Sequence, residues 1–323
     1  MNPTTAQHQI QRLSESLHHV IVGQHEVIHQ VVTAVIADGH VLLEGAPGLA
    51  KTTLVRSLAQ LLSLSFGRVQ CTPDLMPSDV VGTMMLFDDQ PGRYQLRFAP
   101  GPIFASLILV DEINRTPPRT QSALLEAMQE HTVTVAGTTH PLPDPFMVLA
   151  TQNPIEMEGT YPLPEAQRDR FLYHIIVPFP DAADLMEIAR REATAFHPQL
   201  VTCFDAVTLA QVRQIAQQIL VAEHILTYAS MLVLATHPSD SRAPTAVREG
   251  VRYGASPRAV QALIRTAQVE ALRAGRLQVD VVDIQRVALP VLRHRIVLRR
   301  EVFLANDSAD SIVALVLAAV PVP

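Results

Sequence analysis

A chain of 323 residues has room for two modest domains, or for one domain with a large appendage. It is 48% hydrophobic with no Trp, so a sizeable core is filled mainly by Leu, Val, Ile and Ala. The formal charge of -6 argues against a role dominated by nucleic-acid phosphates, and the two distant cysteines, Cys71 and Cys203, speak against a disulfide framework or a metal knuckle.

The N-terminal stretch "MNPTTAQHQIQRLSESL" is polar and gives no targeting signal, and no apolar run reaches the length of a membrane span. The expectation is a reducing, cytoplasmic location. Val41 to Leu43 reads as a short buried strand. "KTTLVRSLAQLL" follows as a helix with Leu54, Leu58, Leu61 and Leu62 on one face. "FGRVQCT" is a second strand, and "SLILVDE", an unbroken apolar run ending in two carboxylates, is a central one. "PPRTQSALLEAMQEH" is a helix with Pro118 in its first turn and Leu124, Leu125 and Met128 on a shared face. "FMVLATQN" and "FLYHIIVPF" are two more strands. The alternation predicts an α/β domain with a largely parallel sheet.

Two segments interrupt that pattern and read as insertions. Thr72 to Pro102 is rich in Pro, Gly and Asp; "HTVTVAGTTHPLPDP", residues 131–145, reads as a β-hairpin. After Pro178-Phe179-Pro180-Asp181 the pattern is helical almost to the end, which places a boundary near residue 180. Residues 1–180 are then the α/β core and 181–323 a helical domain, with "SIVALVLAAVPVP" docking as a last helix.

The strand-turn-helix at Val41–Thr53 carries most of the chemistry. Gly45, Ala46, Pro47, Gly48, Leu49, Ala50, Lys51, Thr52 and Thr53 follow the phosphate-loop pattern, except that Ala50 stands where a second glycine belongs. Backbone N–H groups at a helix N-terminus attract anions. Lys51 would reach the β- and γ-phosphates, and Thr52 would offer its hydroxyl to magnesium. If Ala50 needs a left-handed backbone, its methyl costs about 1–2 kcal/mol; in a right-handed one it costs nothing. Asp111 and Glu112 end a strand some 60 residues later, at the sheet edge where open α/β sheets bind ligands. Asp111 suits a magnesium shell and Glu112 suits proton acceptance from an attacking water. Asn153 ends a neighbouring strand and could touch the γ-phosphate, or simply make a turn before proline. Arg168, Arg170 and Arg258 remain as candidates for a phosphate or for surface salt bridges; Arg258 lies in the first turn of a helix capped by Ser256, away from the end that favours cations. The basic stretch "RHRIVLRR" reads as a solvated helix face or a subunit contact.

Together "GAPGLAKT", "DEINRTPPRTQSALLEAMQE", "ATQNPIEMEGTYPLPEAQRDRF" and "GASPRA" closely resemble the MoxR family of AAA+ ATPases, over nearly the whole chain from "VIVGQHEVI" onward. In that family the loop commonly reads G-x-P-G-L-A-K-T, so Ala50 follows the family pattern. The resemblance implies a P-loop NTPase core with a helical lid, and ATP and Mg2+ bound at a subunit boundary between them. It implies that Val22, Gly23 and Gln24 lie near the adenine and that Asn153 is the sensor-1 residue. Arg170 would be the finger given to a neighbour's nucleotide, and Arg258 the sensor-2 residue. Arg168 sits where the family often has an apolar residue, which leaves Arg168 and Arg170 as alternatives for the finger. The insertions resemble the helix-2 insert and pre-sensor-1 hairpin, facing the pore of a hexameric ring. The implied function is ATP-driven remodelling or maturation of a partner protein, often one with a von Willebrand factor A domain. A nucleic-acid motor of a related AAA+ branch is the alternative.

Overall fold

The five apolar runs form one parallel sheet. In chain order its strands are β1 (Val41–Glu44), β2 (Phe66–Gln70), β5 (Leu107–Asp111), β8 (Met147–Gln152) and β9 (Tyr173–Ile176), and their spatial order is β2-β5-β8-β1-β9. The computed structural model describes residues 1–90, 93–153, 160–194, 196, 198–299 and 308–323. Residues 154–159 of the "ATQNPIEMEGT" block and Arg300 of the basic stretch lie outside the described residues.

The central strands are buried on both faces, which is why they read as continuous apolar runs rather than alternating ones. Leu43, Leu109, Leu149 and Ile175 face one layer. Leu42, Ile108, Val110 and Val148 face the other, which is closed by α5 (Pro118–Glu130) through Leu124, Leu125 and Met128. The first layer is covered by α1 (Pro3–Val20), α2 (His25–Ile36) and α3 (Lys51–Leu61). Cys71 is buried and Cys203 partly so, and both are free thiols.

The first insertion folds as α4 (Pro77–Val81) and a long hairpin, β3 (Gly82–Gln90) with β4 (Arg93–Pro100). Its base requires glycine: Gly82 has φ +93°, and a Cβ there would lie 2.3 Å from the Ala99 carbonyl oxygen. The second insertion is the anticipated hairpin, β6 (Thr132–Val135) with β7 (Thr138–Pro141). The two meet where Phe98 stacks on His140, ring centres 4.1 Å apart. Beyond that contact Leu86, Tyr94 and Leu96 are 66%, 68% and 58% exposed.

After α6 (Glu165–Arg168) and β9, the chain is helical: α7 (Ala182–Ala193), α8 (Ala206–Gln217), α9 (Glu223–Leu234), α10 (Thr245–Gly250), α11 (Pro257–Arg273) and α12 (Val281–Leu292). The helix Ala309–Ala319 docks through Ile312, Val313 and Val316, as its apolar pattern predicts. α11 is the hub. It packs on α8, α9 and α12 and also on α1 and α2, so one buried cluster runs from the sheet into the helical part. The sequence reading missed the short antiparallel pair β10 (Val251–Tyr253) with β11 (Val297–Leu298).

Candidate active site

A parallel sheet delivers all its strand ends to one edge. β1 runs out at Glu44, β5 at Asp111 and β8 at Gln152, and the registers Glu44↔Gln152 and Val110↔Ala150 keep these ends within about one residue of each other. Gly45 to Ala50 turns from β1 into α3, whose first residues are Lys51 and Thr52. A cavity of about 310 Å³ opens there, lined by Pro47 to Thr52, Asp111, Glu112, Thr151 and Asn153. Nearly every loop and acidic residue singled out from the sequence therefore meets at one place.

The loop backbone is strained at one point. Ala50 adopts φ 54°, ψ 19°, the left-handed conformation. The first of the two alternatives for Ala50 holds: the methyl group costs about 1–2 kcal/mol. Gly48, at φ +82°, has open space where a Cβ would stand, so there the requirement is purely conformational. Lys51 curls back and donates from Nζ to the Gly45 carbonyl at 2.5 Å. Partial burial lowers the pKa of its ammonium, opposed by the carboxylates of Asp111, Glu112 and Glu44. Gln24 donates to the Leu49 carbonyl at 3.2 Å, so the Val22-Gly23-Gln24 turn touches the loop. On its other side Gly23 packs against α7, where a Cβ would lie 2.2 Å from the Asp184 carboxylate.

The acidic pair is held by a relay that sequence reading missed. Thr151 donates from its hydroxyl to Asp111 Oδ1 at 2.7 Å and accepts the Glu112 backbone N–H at 2.8 Å. Arg68, across the strand on β2, donates to Asp111 Oδ2 at 2.8 Å. Glu112 itself has a left-handed backbone, φ 58°, and its Oε2 accepts from Arg115 at 3.0 Å. A non-glycine residue held at positive φ at a strand end is the kind of strain that accumulates at functional sites. Asn153 is 5% exposed and lines the same cavity. The available donors for a cation are oxygens, Thr52 and Asp111, which suit a hard ion such as magnesium, and the N-terminus of α3 suits phosphate.

Arg170 and Arg258 are elsewhere. Both line a second cavity of about 230 Å³ at the amino edge of the sheet, with Asp38, His40, Asp169, Arg265 and Arg295. Arg170 donates to the Leu125 carbonyl at 2.6 Å, and Arg258 pairs with Asp169 at 3.4 Å. Within one chain, then, Arg258 does not line the cavity that holds Asn153 and the phosphate loop. The packing of α11 on α1 and α2 fixes its N-terminus beside Asp169, at the opposite edge from the loop. Arg168 lines a third cavity with Glu44, Glu165 and His174, away from Arg170. The basic stretch is not a solvated helix face: His294 and Arg295 are buried, donating to the backbone carbonyls of Asp169, Phe171 and Leu172, and Arg293 pairs with Asp310. Helical spacing could not reveal this, because the carbonyls they satisfy lie far away in sequence.

The chain is similar to known proteins over nearly its whole length. Residues 40–173 match the ATPase family associated with various cellular activities (AAA), and residues 243–315 match the AAA lid domain. Chaperone MoxR1 of Mycobacterium tuberculosis is 40% identical, covering 98% of this chain and 83% of that protein. The chain belongs to the MoxR family of AAA+ ATPases. Protein MoxR of Paracoccus denitrificans is 32% identical over 95% of this chain and 94% of its own length. The crystal structure of a candidate ATPase from Cytophaga hutchinsonii superposes with a TM-score of 0.92 at 39% identity, covering 99% of this chain and 97% of that one. The parallel core and the helical C-terminal part are thus an AAA+ fold, and membership of this ATPase family implies nucleotide binding. Among the described residues no helix is long and apolar enough to cross a membrane.

Proposed function

We propose that this MoxR-family chain hydrolyses Mg-ATP in a site shared between subunits and uses the cycle to remodel a partner protein. The observation that carries the reading is the division of charge in one subunit. The loop, Asp111, Glu112 and Asn153 line a cavity at the carboxyl edge of the sheet, while Arg170 and Arg258 line one at the amino edge. A head-to-tail contact would bring the two edges together between neighbours, and a contact of that type makes a ring when its rotation closes. Family resemblance suggests a hexamer, with a core of residues 1–180 and a lid of 181–323 in a cytoplasmic protein.

In this reading the N-terminus of α3 and Lys51 take the phosphates, and the Val22–Gln24 turn sits by the adenine. Thr52 and Asp111 would hold a magnesium ion, whose chemistry would be to neutralise phosphate charge. Glu112 accepts the proton of a water, oriented by Asn153, that attacks the γ-phosphorus in line as the bond to the bridging oxygen of the departing ADP breaks. Arg170 and Arg258 of the next subunit neutralise the charge that develops on the transferred phosphoryl group, so both act in trans. Catalysis is then positioning and electrostatics rather than covalent chemistry.

Arg258 sits on α11, so a neighbour's nucleotide can pull directly on this chain's lid. The exposed apolar residues of the β3-β4 hairpin are where the output would meet a client. Phosphate release measured alone, with a co-encoded von Willebrand factor A domain protein, and with duplex DNA tests the choice of client. Stimulation by the protein alone supports remodelling; stimulation by DNA alone would reassign the chain as a nucleic-acid motor.

A further inference from the structure

The arginine edge is built around one carboxylate, Asp169. It immediately precedes Arg170 and reaches across to three side chains of the helical part. Ser256 Oγ lies 2.9 Å from both of its oxygens, Arg295 Nε donates to Oδ1 at 3.0 Å, and Arg258 contacts Oδ2 at 3.4 Å. The Arg295 side chain is 3% exposed and also donates to the backbone carbonyls of Asp169, Phe171 and Leu172, at 3.3, 2.6 and 3.2 Å. The main chain on both sides of Arg170 is therefore fixed from the lid side, while Arg170 itself donates to Leu125 in the core.

We infer that Asp169 is a positioning residue that presents Arg170 and Arg258 as a pair to a neighbouring subunit's nucleotide. It does so by holding Arg258 directly and the segment bearing Arg170 through Arg295. Its three bonds are not equivalent. Ser256 and Arg295 are short and sheltered, whereas Arg258 is the longest contact and its side chain is 49% exposed. A γ-phosphate carries more charge than one carboxylate, so it draws Arg258 away. Ser256 and Arg295 keep Asp169, and with it Arg170, in place. Occupancy of the neighbour's site is thereby registered as the loss of one bond between this chain's core and its lid.

The inference rests on the shared-site reading, and a mixing experiment separates the two. A donor chain carries Lys51→Ala, which cripples its own phosphate loop but keeps its arginines. An acceptor chain carries Arg170→Ala, which spares its loop. Each alone turns over slowly; mixed, they regain turnover if the site is shared. Asp169→Asn is then added to one chain or the other. In the donor it should cut the regained rate at least about tenfold, and in the acceptor it should leave the rate within about twofold. A merely structural role would lower both equally. If Asp169→Asn prevents folding, Ser256→Ala is placed in the same two positions, with a smaller asymmetry of the same sign expected. Equal effects in donor and acceptor, or no effect in the donor, overturn the role of Asp169. No recovery in the parent mixture overturns the shared site and this inference with it.

Discussion

Two residues that line the phosphate-loop cavity, Ala50 and Glu112, hold left-handed backbones without being glycine. They call for different tests. At Ala50 the conformation serves the loop and the methyl group serves nothing visible. Ala50→Gly should raise stability by about 0.5–1 kcal/mol, the strain relieved less the entropy glycine adds to the unfolded chain, and leave ATP affinity within about twofold. Denaturant melts and nucleotide titration measure both; a collapse of binding would give the methyl a role. At Glu112 the conformation aims a carboxylate into the cavity. Glu112→Gln should still bind ATP and lose at least about a hundredfold in turnover, and near-normal hydrolysis would remove it as the base. The loop and the acidic pair were legible because their chemistry is written in adjacent residues. Thr151 and Arg68 were not, because they reach Asp111 across strands, and strand order is set by tertiary packing rather than by local pattern.

At the scale of elements the informative one is α11. Its N-cap, its proline at the first position and the arginine that follows could all be read from the sequence, but not the direction in which the helix docks. That direction separates Arg258 from its own loop and joins it to Arg170. Arg170→Ala and Arg258→Ala should both spare ATP binding and lower turnover by roughly a hundredfold or more, the scale on which arginines given to a γ-phosphate act. Arg168→Ala should change turnover by less than about threefold, since Arg168 faces a different cavity. The reverse ranking would exchange the two arginines' roles. The β3-β4 hairpin was not legible for a related reason. "TMMLFDDQ" carries no period-two alternation, because exposed apolar residues lie along the hairpin rather than on one buried face.

At the scale of the whole molecule, two histidines, His40 partly buried and His294 fully buried, tie stability to pH. His40 accepts the Val148 N–H at Nδ1 and donates from Nε2 to the Met128 carbonyl, both at 3.0 Å, so it is neutral where β1, β8 and α5 meet. Burial pushes it down to about 4 from the usual 6.5, and burial also holds His294 well below its usual value. Between those values the unfolded chain binds a proton that folded His40 refuses. Its contribution is therefore complete above pH 6.5 and is lost as pH falls toward 4, on the order of 3 kcal/mol. Urea melts across this range should show that loss, and His40→Asn should flatten part of the slope.

The division of the reactive groups between two edges of one subunit makes assembly the central claim. The most direct test is specific ATP turnover against protein concentration, with mass measured in the same samples. The account predicts that turnover per chain rises as a larger assembly forms. A rate that stays constant with concentration, from a chain that remains a monomer, would contradict it.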